Sequence, residues 1–355
     1  MIPVYNVAPY VERCLLSVMK QTRPAEECLI IDDASTDSSI ALCERLIAKY
    51  DGPTRFTILH HDHNRGLSAA RNTGTDAATG THIYYVDSDD DMTTDCLEKL
   101  AFPIERDESI EMVMGDARTD TSAMIVKRHR LIRKSETAQS RFMQDTPLEL
   151  KSNEEIREWF YNGIILRPVS AWNKLLKLSF VKENHLYNKE GLLFEDHLWT
   201  YYLMRCLNHA VFVHEVTYLQ YRRPGSICTG TKYDERLRHI GYIFREIAEN
   251  IVPGERLEEI MSRYMFFCYS YIDTHDNLDY QFAYNAFRRE IFLARQNTKN
   301  CQYTASQLRS AFWILTAANF LSKSSMGRIL FKNVLRVRIL FLRIVHTLQK
   351  ACGRQ

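Results

Sequence analysis

Residues 82–92 read HIYYVDSDDDM, a short apolar run that breaks into four carboxylates within five residues: Asp87, Asp89, Asp90 and Asp91. His82–Val86 has the length and the aromatic and β-branched content of a buried strand. Like charges crowded at such a strand end raise one another's pKa and cost stability unless a cation joins them. A hard divalent ion, bound through carboxylate oxygens and completed by phosphate oxygens, removes that cost. The stretch therefore predicts a strand that ends at a cation and phosphate site.

Upstream, strand and helix patterns alternate. A strand end at Ile2–Tyr5 leads to a helix across Pro9–Gln21, and the apolar run Cys28–Ile31 stops at Asp32-Asp33. A helix over about Ser38–Tyr50, a strand at Phe56–His60 and a helix over Leu67–Ala78 complete the series. Such a succession predicts an α/β sheet with helices on both faces. Ligands of these sheets sit beyond the carboxyl ends of the strands, where Asp32-Asp33 and Asp87–Asp91 both fall. The first strand begins almost at Met1, which predicts a short strand or a trimmed start.

Downstream, a strand is expected near Glu111–Gly115. Residues 105–160 are otherwise polar, with basic residues crowded between Lys127 and Lys134. A helix over Asn153–Tyr161, a mixed segment over 165–225 ending in the strand Val211–Tyr221, and helices from about Tyr233 onward follow. No internal repeat or low-complexity stretch occurs. The organisation expected is one α/β domain over 1–230 and a helical region over 231–355.

Composition adds limits. A 355-residue chain with 45% hydrophobic and 25% charged residues is ordinary globular material. Nine cysteines without a CxxC pair indicate neither a disulfide framework nor a zinc site, and reduced thiols in a cytosolic protein are the simpler reading. No signal-like segment is present, and no apolar run approaches the roughly 18 residues of a membrane span.

The net charge of +2 conceals an asymmetry: residues 291–355 hold 11 Lys or Arg and no Asp or Glu, whereas the other 290 residues hold 35 basic and 44 acidic side chains. Over Gly327–Ala351, read as one helix, Arg328, Lys332, Arg336, Arg343, Lys350 and Arg354 share an arc of about 80°, with Arg338 off it. A basic stripe on an apolar helix fits an anionic bilayer surface. A helix packed on the body with its arginines in solvent is the other reading. The charges argue against a true span, and no nucleic-acid-binding module is recognisable.

Four further segments carry chemistry. Pro3-Val4-Tyr5-Asn6 closes the first strand in an open turn. Asp32-Asp33-Ala34-Ser35-Thr36-Asp37 follows the second, where Ser35 or Asp37 serves equally well as a helix cap. Asn64-Arg65-Gly66-Leu67-Ser68-Ala69-Ala70-Arg71-Asn72 opens a helix on a glycine turn. Phe194-Glu195-Asp196-His197, after Gly191-Leu192-Leu193, places a carboxylate pair at a probable helix start, a position that acidic residues also favour for dipole reasons. No GxG and no GxxxxGK[ST] occurs, which removes the phosphate loops of dehydrogenases and other nucleotide enzymes.

Together these segments resemble glycosyltransferase family 2, inverting enzymes with the GT-A fold. PVYN at 3–6, SVMKQT at 17–22, IIDDASTD at 30–37, NRGLSAARNTG at 64–74 and YVDSDDDM at 85–92 occur in the family's order and approximate spacing. They cover about a quarter of the chain. AWNKLLK at 171–177, GLLFED at 191–196 and YRRPGSI at 221–227 are similar to bacterial polysaccharide-building members.

The resemblance implies a central mixed, mostly parallel sheet, with a donor half over 1–100 and an acceptor half over 101–230. It implies that Asp33 reads the uracil imide, with Asp32 beside it, and that the backbone around Pro3 and Tyr5 lines the base pocket. Arg65 matches a basic residue near the nucleotide. Asp87-Ser88-Asp89 matches the DxD motif, in which Asp87 faces ribose or sugar and Asp89 holds Mg²⁺ or Mn²⁺. Asp196 matches the general base, with Glu195 the second candidate. The implied reaction moves a UDP-linked hexose or N-acetylhexosamine to a glycan or lipid-linked oligosaccharide in cell-surface polysaccharide synthesis. The expected location is cytoplasmic, peripheral on the inner face of the membrane, with no nucleic-acid partner. A catalytically inactive nucleotide-sugar-binding or scaffolding protein of the same fold is the alternative.

Overall fold

Every residue of Cys28–Asp32 is buried, as expected for a strand covered on both faces. In the computed structural model, which describes residues 1–120, 147–162, 169–221 and 233–250, this segment belongs to the middle strand of a parallel three. Strand β1 (Ile2–Val4) pairs with β2 (Glu27–Asp32), and β2 pairs with β3 (Arg55–His60). Helix α1 (Ala8–Met19) buries Val11, Cys14, Leu15 and Val18, the apolar stripe of a 3.6-residue period. It packs on α2 (Ser39–Ile47). Helix α3 (Leu67–Ala77) packs on β1 and β2 and leads to β4 (His82–Tyr84).

β4 lies on the open side of β1: the Met1 amino group donates to Tyr84 O at 2.9 Å, and Val86 N donates to Met1 O at 3.1 Å. The strand order is therefore β3-β2-β1-β4, and it reverses direction between β1 and β4. Right-handed crossovers then put α1 and α2 on one face and α3 on the other. The reversal opens a crevice beyond the strand ends, and both acidic turns stand there.

Beyond β4 the sheet becomes mixed. β5 (Asp91–Met92), α4 (Cys96–Arg106), β6 (Met112–Asp120), β7 (Leu148–Leu150) and α5 (Asn153–Asn162) come next in the chain. β8 (Lys174–Lys177), α6 (Leu178–Glu183), α7 (Glu195–Cys206), β9 (Ala210–Tyr221) and α8 (Tyr233–Glu249) complete the described elements. β8 runs antiparallel between β4 and β6, β6 runs parallel to β9, and β5 and β7 pair antiparallel with β9. The parallel expectation thus holds for the first half, while antiparallel ladders dominate the second. The chain divides into two compact units, one of Met1–Arg157 with Ser170–Gly230, the other of Glu158–Val169 with Thr231–Gln355. The basic cluster between Lys127 and Lys134 and the tail helix over 326–355 lie outside the described residues. No helix among those described is long and apolar enough to cross a membrane.

A single buried amide ties the two halves of the sheet together. Asn173, just before β8, has a left-handed backbone (φ 62°) that asparagine tolerates better than most residues. Its Nδ2 donates to Gly115 O and Asp116 O at 2.7 and 3.2 Å. Its Oδ1 accepts from the Tyr84 hydroxyl at 3.0 Å and the Thr217 hydroxyl at 2.7 Å. Strands β4, β6 and β9 thereby meet at one side chain. At Gly115 a Cβ would run into Thr217, so the close approach there requires glycine. Asn173→Ala should cost about 2–4 kcal/mol, because it strands several buried polar groups at once. A lowered urea midpoint checks this, and an unchanged midpoint contradicts it.

Candidate active site

The two acidic turns follow β2 and β4, the strands on either side of β1. At the end of β2, Asp33 is buried and fully engaged. Its carboxylate accepts from Arg65 N at 2.8 Å, from Gly66 N at 2.7 Å and shares a 2.6 Å hydrogen bond with His61 Nδ1. Gly66 has φ 87° and ψ 167°, a conformation open to glycine alone. Asp33 thus holds the glycine turn that opens α3 and carries Arg65. The Arg65 side chain is partly exposed and reaches Glu190 Oε1 at 3.4 Å.

Asp32 accepts from Ser35 N at 2.8 Å and pairs with His60 at 2.9 Å. The cap reading of this motif also has a counterpart: Asp37 accepts from Ala8 N at the start of α1 and from Ser39 N. Pro3 is buried in β1, whereas Tyr5 is 46% exposed at its end.

The Asp87–Asp91 turn separates into two kinds of carboxylate. Asp90 and Asp91 are buried and committed to structure. Asp90 accepts from the Tyr218 hydroxyl at 2.9 Å and from Tyr221 N at 2.7 Å. Burial, with the charges of Asp87 and Asp89 beside it, pushes the Asp90 carboxyl up to about 8. Asp91 accepts from Arg13 Nε at 2.8 Å, while Arg13 Nη2 donates to Asp89 O at 2.7 Å. The Arg13 guanidinium lies over the Tyr221 ring, 3.6 Å from its centroid. Asp87 and Asp89 are only partly buried, and Ser88 between them is buried. Two accessible hard-oxygen groups in a turn already strained by like charge suit a divalent cation.

Arg71 joins this turn to the second carboxylate pair. It is 2% exposed, and its guanidinium donates through Nη2 to Asp87 Oδ1 at 2.9 Å and through Nη1 to Glu195 Oε1 at 2.6 Å. Glu195 and Asp196 form the first turn of α7, entered through Phe194 at φ 61°. Burial pushes both carboxyls upward, and Arg71 pulls both back. Lys174 of β8 is wholly buried and donates to Ser170 O. Burial pulls its ammonium down to about 7, against the charge of Asp196. His197 is brought by burial to about 4 and is a neutral imidazole at pH 7.

The predicted residues therefore fall into three groups. Asp87, Glu195 and Asp196 share one charge cluster. Asp32, Asp33 and Arg65 belong to the β2 and α3 turns beside it, with Pro3 and Tyr5 on the adjacent strand. Asp89 and Ser88 lie in the same turn as Asp87. The sequence reading passed over Arg71, Lys174, Arg13 and Tyr218. Of these, Arg71 lies within NRGLSAARNTG and Lys174 within AWNKLLK, and the signal available for Arg71 was its place on α3 beside the buried Ala70 and Thr75.

A separate set of ligand-type groups, Asp107, Glu149 and His209, stands at the opposite end of the sheet. Its atoms already bond one another: His209 meets Ser109 Oγ and Glu149 Oε1 at 2.9 Å each, and Ser109 donates to Asp107. It has no part in the crevice.

Comparison with known proteins bears on the fold and the family. The family model for glycosyl transferase family 2 matches residues 1–165. Glycosyltransferase GlyG of Streptococcus pneumoniae serotype 4 is 25% identical over 270 residues, 74% of this chain and 84% of that protein. Six further curated relatives named as glycosyltransferases are 36–39% identical, and those matches span 14–40% of the relatives' own lengths. Among solved structures, TarS 1–349 of S. aureus in complex with UDP-GlcNAc superimposes with a TM-score of 0.63 at 19% identity, covering 94% of this chain and 89% of that one. The mannosyltransferase PcManGT of Pyrobaculum calidifontis, in complex with GDP-Man and Mn²⁺, gives 0.53 at 15% identity, covering 100% and 86%. The fold is GT-A, and residues 1–165 match the model of glycosyl transferase family 2.

Proposed function

We propose that this glycosyltransferase moves a sugar from a nucleotide-sugar donor to an acceptor hydroxyl by a single inverting displacement. The observation that carries the reading is the meeting of Asp87 and Glu195-Asp196 around Arg71, which brings a donor turn and a base within one site. A UDP-linked hexose or N-acetylhexosamine is the donor favoured by the acidic turn of Asp33 and by the UDP-GlcNAc of the TarS complex. The acceptor is a glycan or lipid-linked oligosaccharide of a cell-surface polysaccharide, in keeping with the bacterial relatives.

Residues 1–100 form the donor half. Asp33, by holding the Arg65-Gly66 turn, shapes the wall that faces the base, with Pro3, Tyr5 and Asp32 alongside. Arg65 lies toward the phosphates, and Asp87 with Ser88 toward ribose and sugar. Asp89 with Asp87 would hold Mn²⁺ or Mg²⁺, which when bound offsets the charge on the departing nucleoside diphosphate. Residues 101–230 supply the acceptor side. Glu195 is occupied by Arg71, so Asp196 is the group left to take the proton from the acceptor hydroxyl. A proton-accepting carboxylate works best when its pKa lies near the working pH, and burial moves Asp196 in that direction.

The basic tail over 326–355 docks the enzyme on the anionic inner face of the membrane. Each Lys or Arg near such a surface contributes about 1 kcal/mol. The alternative, an inactive nucleotide-sugar-binding protein, predicts that donor is bound but never hydrolysed, with or without Mn²⁺.

Three measurements test these assignments. Asp89→Ala should bind UDP equally with and without EDTA in calorimetry, whereas the wild type responds to EDTA; a mutant with the wild-type metal response removes Asp89 from the metal site. Asp196→Asn should keep donor affinity and lose ~10²-fold or more in turnover, and near-normal turnover would move the base elsewhere. Deletion of residues 326–355 should release the enzyme from anionic vesicles in sedimentation at low salt. Equal partitioning of the two forms overturns the membrane role.

A further inference from the structure

We propose that Arg71 is a positioning residue: by gripping Asp87 with one guanidinium nitrogen and Glu195 with the other, it sets the neighbouring base Asp196 against the donor turn. The inference rests on the functional reading above and assigns it one more part.

The two carboxylates lie 16 and 124 positions from Arg71 in the chain, so no local turn chemistry brings them together. The bond lengths are 2.9 and 2.6 Å, within the range of charge-assisted hydrogen bonds. A planar guanidinium presents its donors in a rigid fork, so two carboxylates bound to separate nitrogens are held at a nearly fixed separation. Glu195 and Asp196 are consecutive in the first turn of α7. Displacement of one displaces the other.

Other anchors of α7 lie further along it. Trp199 Nε1 donates to Leu186 O at 2.9 Å, and the Asn153 amide caps the carbonyls of Met204, Arg205 and Leu207. The Arg71 fork links the start of α7 to the Asp87 turn directly, side chain to side chain. Arg71 itself is seated on α3, whose next turn is fixed by Thr75, hydrogen-bonded at 2.8 Å to both Arg71 O and the Tyr85 hydroxyl. A guanidinium serving packing alone would be replaceable by an apolar side chain of similar volume. Here its partners are the first carboxylate of the donor motif and the neighbour of the base.

Arg71→Lys keeps the charge and removes the fork. The expected result is a variant that melts close to wild type and keeps its donor KM within severalfold, while kcat falls about 10²-fold, the effect of a roughly 1 Å misplacement. Glu195→Gln should lower kcat similarly, and the double variant should be little worse than either single one, because the two act as a unit. A merely structural arginine would lower the melting temperature and leave kcat per UDP-binding site unchanged. If Arg71→Lys does not fold, Arg71→Gln/Glu195→Gln, a neutral amide pair, is measured on the same scales. Wild-type kcat in either variant, or additive losses, overturns the positioning role. A wild-type chain that turns over no nucleotide sugar overturns the functional reading instead.

Discussion

A guanidinium buried to 2% exposure, with one carboxylate on each side, is the constraint around which the crevice is built. Taking such a cation out of water costs several kcal/mol, and only well-placed opposite charge returns it. Removing one partner of a buried pair typically costs about 3–5 kcal/mol, because the charge left behind has no solvent. The geometry of Asp87 and Glu195 is therefore enforced by the folding of α3 itself. The same helix carries Asn72, which exchanges hydrogen bonds with the Asn188 backbone at 2.9 and 2.8 Å, and Asp76, which accepts from the Tyr187 hydroxyl at 2.7 Å. Helix α3 thus holds the Asp87 turn, the loop before α7 and the start of α7.

The acidic residues of the crevice look alike in sequence and differ in what surrounds them. Asp33, Asp90 and Asp91 are buried and accept from backbone or arginine donors, so they shape turns. Asp87 and Asp89 keep partial exposure in a turn whose charge is only partly offset by Arg71 and Arg13. Asp196 is buried beside the charges of Arg71, Asp87 and Lys174, the last of them from β8. Local charge balance, more than residue type, separates the structural carboxylates from those available for chemistry.

The first half of the fold was legible because its signals are local. Val11, Cys14, Leu15 and Val18 announce a helix by spacing, and Cys28–Ile31 announces a strand by its unbroken apolar run. The second half was less so. β8 is four residues long and begins and ends in lysine, so no alternation marks it. Cys96, Leu100 and Ile104 form a clear stripe on α4, but Pro103 and the polar residues between them masked it. Strand order was beyond reach for a different reason: the β4-β8-β6-β9 ladders join residues about 60 to 100 positions apart, and nothing local encodes them. The candidate site followed the same rule. Motif residues were found one by one, whereas Arg71 matters through partners that only the fold supplies.

Asp33 shows how far motif chemistry depends on that assembly. In the sequence it reads as a group that meets a nucleotide base. In the fold both of its oxygens are taken up by the amides of Arg65 and Gly66, 32 and 33 positions away. These bonds are charge-assisted and stronger than neutral ones, and they pin Gly66 in a conformation that glycine alone adopts readily. Gly66 is the residue from which α3 starts. A shift at Asp33 would therefore pass along the helix to Arg71, and from there to Asp87 and Glu195. Asp33 and the Asp87–Glu195 pair are connected through one short helix, so the two acidic turns and the start of α7 are set by a single rigid element.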